Sequence, residues 1–190
     1  MNIKLNYCNQ CGSSLSHKIP NGDNLPRYIC DNCGNIHYQN PRIIAGCIAE
    51  WENKVLLCRR AIEPRHGLWT LPAGFMENLE TTIEGALREA QEEANANILD
   101  SRLFCMFSIP HISQVYMMYR GSLKNGEAHA GPESLEVELF SEQDIPWDKL
   151  AFPVISETLR LYYADKLSGN YQIHNGELIK DKDSVLFKLY

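Results

Sequence analysis

No apolar run in this chain approaches the roughly 20 residues that span a bilayer, so a membrane-spanning helix is not expected. The opening MNIKLNYCNQCG lacks the apolar stretch of a secretory leader, which makes the cytoplasm the expected address. Positive charge is scarce: 18 Lys and Arg against 24 Asp and Glu leave a net charge of −6. Nucleic-acid backbones are held mainly by clustered Lys and Arg, so general nucleic-acid binding is not expected either. Internal repeats and low-complexity tracts are lacking. The cysteine count, seven, is odd, and with a reducing compartment it argues against a disulfide framework. What is left is a soluble globular chain of 190 residues, enough for one domain with a proper core plus a small appendage.

Four of the cysteines are ordered. Cys8, Cys11, Cys30 and Cys33 form C-x2-C-x18-C-x2-C, in two matched pieces, Cys-Asn-Gln-Cys-Gly and Cys-Asp-Asn-Cys-Gly. Two residues between thiolates let one turn aim both sulfurs at a single ion, and the following glycine permits the tight backbone behind them. Four thiolates close a tetrahedral shell, the usual structural zinc site. A redox Cys-x-x-Cys normally comes singly and does not account for two matched pairs. Residues 1–38 are therefore expected to be a zinc ribbon folded by its metal, since so short a segment buries little apolar surface. Its basic residues are only Lys4, Lys18 and Arg27, which favours a packing or dimer-forming role. Cys47, Cys58 and Cys105 sit among apolar residues and read as buried thiols.

After Asn40-Pro41, a natural junction, Ile43 to Trp51 and Lys54 to Arg59 read as two strands of a hairpin around Glu52-Asn53. HGLWTLPAGF is too rich in glycine and proline to be regular throughout. Thr81 and Glu84 form a capping box at the start of a helix. Its apolar face is Ile83, Ala86, Leu87, Ala90 and Ala94, with the glutamates expected on an outward-pointing stripe. Arg102 to Ile109, Ser113 to Leu123 and Leu135 to Phe140 read as strands, and Ile155 to Leu167 as a helix closed by Gly169. The stretch from Asn170 carries no decisive signal. A mixed sheet with helices on its faces is expected for residues 39–167, with 168–190 a C-terminal extension without an assigned role.

The chemistry lies in GFMENLETTIEGALREAQEEANA, residues 74–96. Glu89, Glu92 and Glu93 stand at i, i+3 and i+4 on the helix, and Glu80 lies in the loop before it. Like charges at that spacing repel and cost stability unless a cation sits among them. Mg²⁺ and similar hard ions take oxygen ligands and bind through a few carboxylates plus substrate phosphates. A metal-dependent enzyme acting on a phosphorylated substrate is the reading.

These residues resemble the motif of the Nudix hydrolases, Gly-x5-Glu-x7-Arg-Glu-U-x-Glu-Glu-x-Gly-U, with U a bulky aliphatic. Gly74, Glu80, Arg88, Glu89, Glu92 and Glu93 match in register; Ala90, Ala96 and Asn95 depart from it. Asn95 is a mild departure, because Asn tolerates the left-handed backbone just past a helix end. The resemblance implies an α/β/α sandwich with a mixed sheet (an α+β chain). It also implies Mg²⁺ or Mn²⁺ held by Glu89, Glu92, Glu93 and the Ala73 carbonyl. Arg88 and Glu80 would pair to hold helix and loop together. A further glutamate from a later loop, Glu133 or Glu136, would join the metals or act as base, with Glu133 preferred. Arg59, Arg60 and Arg65 near the approach loop are candidates for phosphate. Trp69, Phe75 and Tyr116 are candidates for stacking a nucleotide ring, although each is more often a core residue. His111 reads as a loop residue.

A ribbon joined to such a domain is similar to two groups. NADH pyrophosphatases carry SQPWPFPxS after the motif; SIPHISQVYMMY keeps Ser108, Pro110 and Gln114 but lacks that centre. Bacterial and plant plastid enzymes acting on FAD and ADP-ribose share RYIC, IHYQNP, WENKVLLC, GLWTLPAGF, PESLE and DIPW. The second group is preferred, giving FAD or ADP-ribose as the expected dinucleotide substrate and NADH as the alternative. A homodimer is what the resemblance suggests. A non-catalytic nucleotide sensor or RNA-binding regulator is the reading from another class; lost glutamates and a basic ribbon would mark it, and this chain has neither.

Overall fold

A computed structural model describes residues 4–181 and 184–190. The chain divides into two compact units, with the boundary in sequence between Pro41 and Arg42. In the first, β1 (Leu15–Lys18), β2 (Arg27–Cys30) and β3 (Ile36–His37) make a small antiparallel sheet. Among its described residues the only buried side chains are Cys8 and Cys30, so it has no apolar core of its own.

The second unit is built on a nine-stranded mixed sheet. Its strands are β4 (Arg42–Trp51), β5 (Lys54–Arg60), β6 (Trp69–Thr70), β7 (Ala73–Phe75), β8 (Ile98–Ile109), β9 (Gln114–Leu123), β10 (Ser134–Phe140), β11 (His174–Asp181) and β12 (Ser184–Leu189). The order is β10-β5-β4-β9-β8-β11-β12, with β6 on β5 and β7 on β4. The parallel pairs are β4 with β9 and β8 with β11. The expected hairpin is present, with Glu52 in the left-handed region at φ 52° and Glu50 opposite Val55.

Alternation along β4 sends neighbouring residues to opposite faces. Ile44 and Ile48 join Val55, Leu57 and Phe104 against α2 (Pro153–Ser168), through Val154, Ile155, Leu159 and Tyr162. Ala45, Cys47 and Ala49 join Leu56 and Cys58 against α1 (Thr82–Ala94), through Ala86, Ala90 and Ala94. Small residues meet small residues on that second face, and the Cys47 thiol reaches the Ala86 carbonyl at 3.4 Å. One helix on each side of a mixed sheet is the α/β/α sandwich.

Alanine at position 90 follows from this packing, since a bulky aliphatic would hold the helix off the sheet. The stretch after Ser168, silent in sequence, supplies β11 and β12 to the same sheet. It is tied to α2 by buried Asp165, which bonds the His174 ring at 2.8 Å and accepts from the Gln172 amide at 3.1 Å. Among the described residues no helix is long and apolar enough to cross a membrane.

Candidate active site and cysteine cluster

The capping box forms as expected: the Glu84 amide donates to Thr81 Oγ1 at 3.2 Å and the Thr81 amide to Glu84 Oε2 at 2.7 Å. Strand β7 lies along the glutamate-bearing side of α1. The Ala73 amide donates to Glu93 Oε2 at 3.2 Å. Gly74 is a glycine for a steric reason, because a Cβ there would occupy the space of the Glu89 carboxylate.

The expectation that the glutamates point outward is therefore corrected. Glu89 is 9% exposed and Glu93 5%, while Glu92 is open to solvent. A helix of this period docks on the sheet by one side, but β7 and the loop after it cover a second. Nothing in the periodicity reports that second cover.

Arg88 is the centre of the polar network. Its guanidinium binds Glu80 in bidentate fashion at 3.0 and 2.9 Å, and reaches Glu89 at 2.8 Å, Glu92 at 3.0 Å and the Phe75 carbonyl at 3.1 Å. The Glu77 amide completes the seat of Glu80 at 2.6 Å. Arg88 and this amide hold the Glu80 carboxyl down at about 2. Burial acts the other way on its neighbours. It raises Glu89, partly offset by Arg88, and pushes Glu93 up to about 8, with the nearby charges of Glu89 and Glu133 adding to the effect. Three carboxylates thus share one guanidinium, while the fourth, Glu93, is bonded to an amide.

The remaining candidates separate clearly. Glu133 is exposed on the loop before β10, and its charge is felt by both Glu89 and Glu93. Glu136 is instead engaged on the sheet by Arg59 at 2.7 Å. Arg59 also bonds the Gly67 carbonyl at 3.1 Å, so its guanidinium is largely committed. Arg60 has Nε on the Pro64 carbonyl at 2.9 Å and its guanidinium 5.3 Å from the Phe152 ring, and its positive charge partly offsets the upward shifts of Glu93 and Tyr116. Arg65 is exposed with φ 71° in the loop between β5 and β6.

Trp69 packs edge-on to Phe140 in the main core and is 8% exposed; Tyr116 lies in the same core. Phe75 is 47% exposed and is covered on one side by the Arg42 guanidinium at 4.5 Å. Arg42 was not a candidate from sequence, because only the pairing of β7 with β4 brings it to Phe75. His111 lies in a short 3₁₀ turn at Pro110–Ile112, exposed.

The donor set suits a hard divalent cation. It consists of carboxylate oxygens in excess of their basic partners, with Gly74 leaving room for the Glu89 carboxylate. The cysteines suit a soft one. Among the described residues they are the one group of three or more candidate ligands that converges, with all four sulfurs within 4.8 Å of one another. Neighbouring sulfurs stand 3.7 Å (Cys8 and Cys33) and 3.4 Å (Cys11 and Cys30) apart. A tetrahedron of Zn–S bonds near 2.3 Å has edges of about 3.8 Å. Backbone amides of Gln10 and Cys33 approach the Cys8 and Cys30 sulfurs at 3.4 Å, and Gly12 and Gly34 take φ 74° and 72° behind the two turns.

A family model, NUDIX domain, matches residues 40–162, and a second, Nudix N-terminal zinc ribbon, matches residues 6–39. The chain is a Nudix hydrolase. Its similarities lie within that family. It is 31% identical over 156 residues to the ADP-ribose pyrophosphatase of Methanocaldococcus jannaschii, covering 78% of this chain and 85% of that one. It is 28% identical over 170 residues to the NAD-capped RNA hydrolase NudC of Photobacterium profundum, covering 84% of this chain and 60% of that one. The chain thus spans somewhat over half the length of that relative. A crystal structure of a Nudix hydrolase from Nitrosomonas europaea superposes with a TM-score of 0.89 at 54% identity. The match covers 93% of this chain and all of that one. Nudix enzymes in general use divalent metals, and the cysteine cluster fits the ribbon.

Proposed function

We propose that this Nudix hydrolase cleaves the diphosphate bridge of an adenosine diphosphate derivative, ADP-ribose or FAD, with Mg²⁺ or Mn²⁺. The observation that carries the reading is the pairing of two buried acids, Glu89 and Glu93, with a glycine, Gly74, against which the Glu89 carboxylate lies. Burying carboxylates costs free energy that packing alone does not return; Glu89 shares Arg88 with two other acids and Glu93 has only an amide, so a further counter-charge supplied with the substrate accounts for them. Glu89, Glu93, Glu92 and the Ala73 carbonyl would hold the ions. Such ions neutralise diphosphate charge and lower the pKa of bound water.

The protein's own groups do the rest. Arg88 and Glu80 fix the loop to the helix and set the carboxylates at their spacing. Glu133 takes the proton of the attacking water as the new P–O bond forms and the bridging P–O bond breaks. Arg60 offers charge to the phosphates, and Phe75 an exposed face to a ring; Arg59, Trp69 and Tyr116 contribute mainly to the frame. Similarity to the ADP-ribose pyrophosphatase supports ADP-ribose; the retained FAD-group segments support FAD. Similarity to NudC supports a second reading, NADH.

A metal-supplemented screen separates them by products. ADP-ribose gives AMP and ribose 5-phosphate, FAD gives FMN and AMP, and NADH gives reduced nicotinamide mononucleotide and AMP. Diadenosine polyphosphates complete the set. No metal-dependent turnover of any of these, together with tight RNA binding, would instead establish the non-catalytic regulator. A cytoplasmic homodimer belongs to the same proposal, and light scattering at micromolar concentration checks the dimer. Gly74→Ala is expected to lower kcat by about 10²-fold with unchanged far-UV circular dichroism, because the added methyl displaces the Glu89 carboxylate. Activity within twofold of the parent would remove Glu89's position from the mechanism.

A further inference from the structure

Helix α1 ends in an unusual way for a helix that carries the site. Its last carbonyls are capped by a loop distant in sequence as well as by the chain that follows. The Asn95 amide bonds Gln91 O at 2.9 Å and the Ala96 amide bonds Ala90 O at 3.1 Å, closing the turn with Asn95 at φ 47°. The carbonyls of Glu93 and Ala94 are then taken by the amides of Gly131 at 2.9 Å and His129 at 2.8 Å. Asn95 adds a bond in return, its side-chain Nδ2 donating to the His129 carbonyl at 3.0 Å. The approach is so close that a Cβ on Gly131 would overlap the Glu92 carbonyl. Two residues later on this loop comes Glu133, held at its own backbone by the Ala61 amide at 2.8 Å.

The geometry points to Asn95 and Gly131 as positioning residues that fix the Glu133 loop onto the helix bearing Glu89, Glu92 and Glu93. Asn95 does this with a side-chain donor. A left-handed cap needs only a backbone that tolerates positive φ, which glycine supplies better than asparagine. The side-chain carboxamide of Asn95 is therefore spare for the helix and used by the loop. One helix thus carries three of the acids and anchors the loop of the fourth, with the Ala61 amide holding that loop on its other side. This inference rests on the proposed role of Glu133 at the site.

The test is a double-mutant cycle in the full-length chain, with Asn95→Gly, Asn95→Asp and Glu133→Gln, reading kcat and KM for whichever substrate the screen identifies. Both Asn95 variants keep the left-handed turn and lose the donor. The expected result is a three- to tenfold fall in kcat for each, with KM and thermal midpoint little changed, and no further fall when either is combined with Glu133→Gln. The same fall in the Glu133→Gln background would make Asn95 a structural residue and overturn the inference. Normal kcat in both Asn95 variants, beside a crippled Glu133→Gln, would overturn it while leaving Glu133 in the mechanism. An unimpaired Glu133→Gln would remove Glu133 itself, and the positioning role with it.

Discussion

Glu93→Gln is expected to abolish turnover, by at least ~10³-fold, and at the same time to make the metal-free protein more stable. Few substitutions at a structural position do both, which makes the pair of outcomes diagnostic. Glu93 is buried against Ala73 with one amide donor, and burial pushes it up to about 8 from the ordinary carboxylate range. A raised carboxyl binds its proton more tightly folded than unfolded. Its contribution to stability is full below its unfolded value near 4.5 and is lost as pH rises through about 8. The metal-free protein should therefore lose thermal midpoint across that window. Glutamine keeps the acceptor for Ala73 and carries no charge, so the loss disappears. At pH 8 to 9 the variant is therefore expected to have the higher thermal midpoint, by several degrees, with the difference shrinking toward pH 5. Added Mg²⁺ should raise the parent's midpoint most at high pH and have little effect on the variant. A variant with near-normal kcat, or a parent midpoint flat from pH 5 to 8, would take Glu93 out of the proposed site.

That prediction could not have been written from sequence, and the reason is physical. The helix boundaries were legible because they are local: Thr81 and Glu84 answer each other across three residues, and Asn95 carries the left-handed cap. The hairpin of β4 and β5 was legible for the same reason. The register of β7 on β4, Gly74 opposite Ala45, joins residues about 30 apart and leaves no periodic trace. Yet it is β7 that buries Glu89 and Glu93 and brings Arg42 to Phe75. Similarly, β11 reads as a mixture of polar and apolar residues because its pairing with β8 comes from outside its own segment. Sequence preferred Glu133 over Glu136 but carried no sign of the ion pair that Glu136 makes with Arg59, which arises from β10 lying against β5. Motif residues were visible because chemistry fixes their type. What surrounds them was not, because packing fixes only their size. The alanines at 90 and 96, departures from the motif, are both buried against a sheet face of small residues.

Removing zinc is expected to unfold the ribbon and leave the catalytic unit standing. The ribbon's described residues bury no large apolar side chain; its interior is Cys8 and Cys30. Its folding free energy must come from elsewhere, and zinc bound by four thiolates supplies on the order of 10–16 kcal/mol in small domains. The four sulfurs within 4.8 Å of one another would be left as crowded thiols, one of which, Cys11, is drawn down to about 6 chiefly by the Ser13 amide. The second unit differs in kind, with one apolar cluster on each face of its sheet. Chelation followed by restoration of Mg²⁺ should thus give rapid proteolytic cleavage confined to residues before Pro41, with a resistant fragment from Arg42 onward. Cys11→Ser should reproduce this without chelator, and metal analysis should fall from one zinc per chain toward none. Unchanged protease resistance of the ribbon after verified zinc loss would show that the four thiols do not hold it together. Cleavage spreading at once through the catalytic unit would show instead that the two units fold as one, so the fragment pattern decides between a local staple and a shared core.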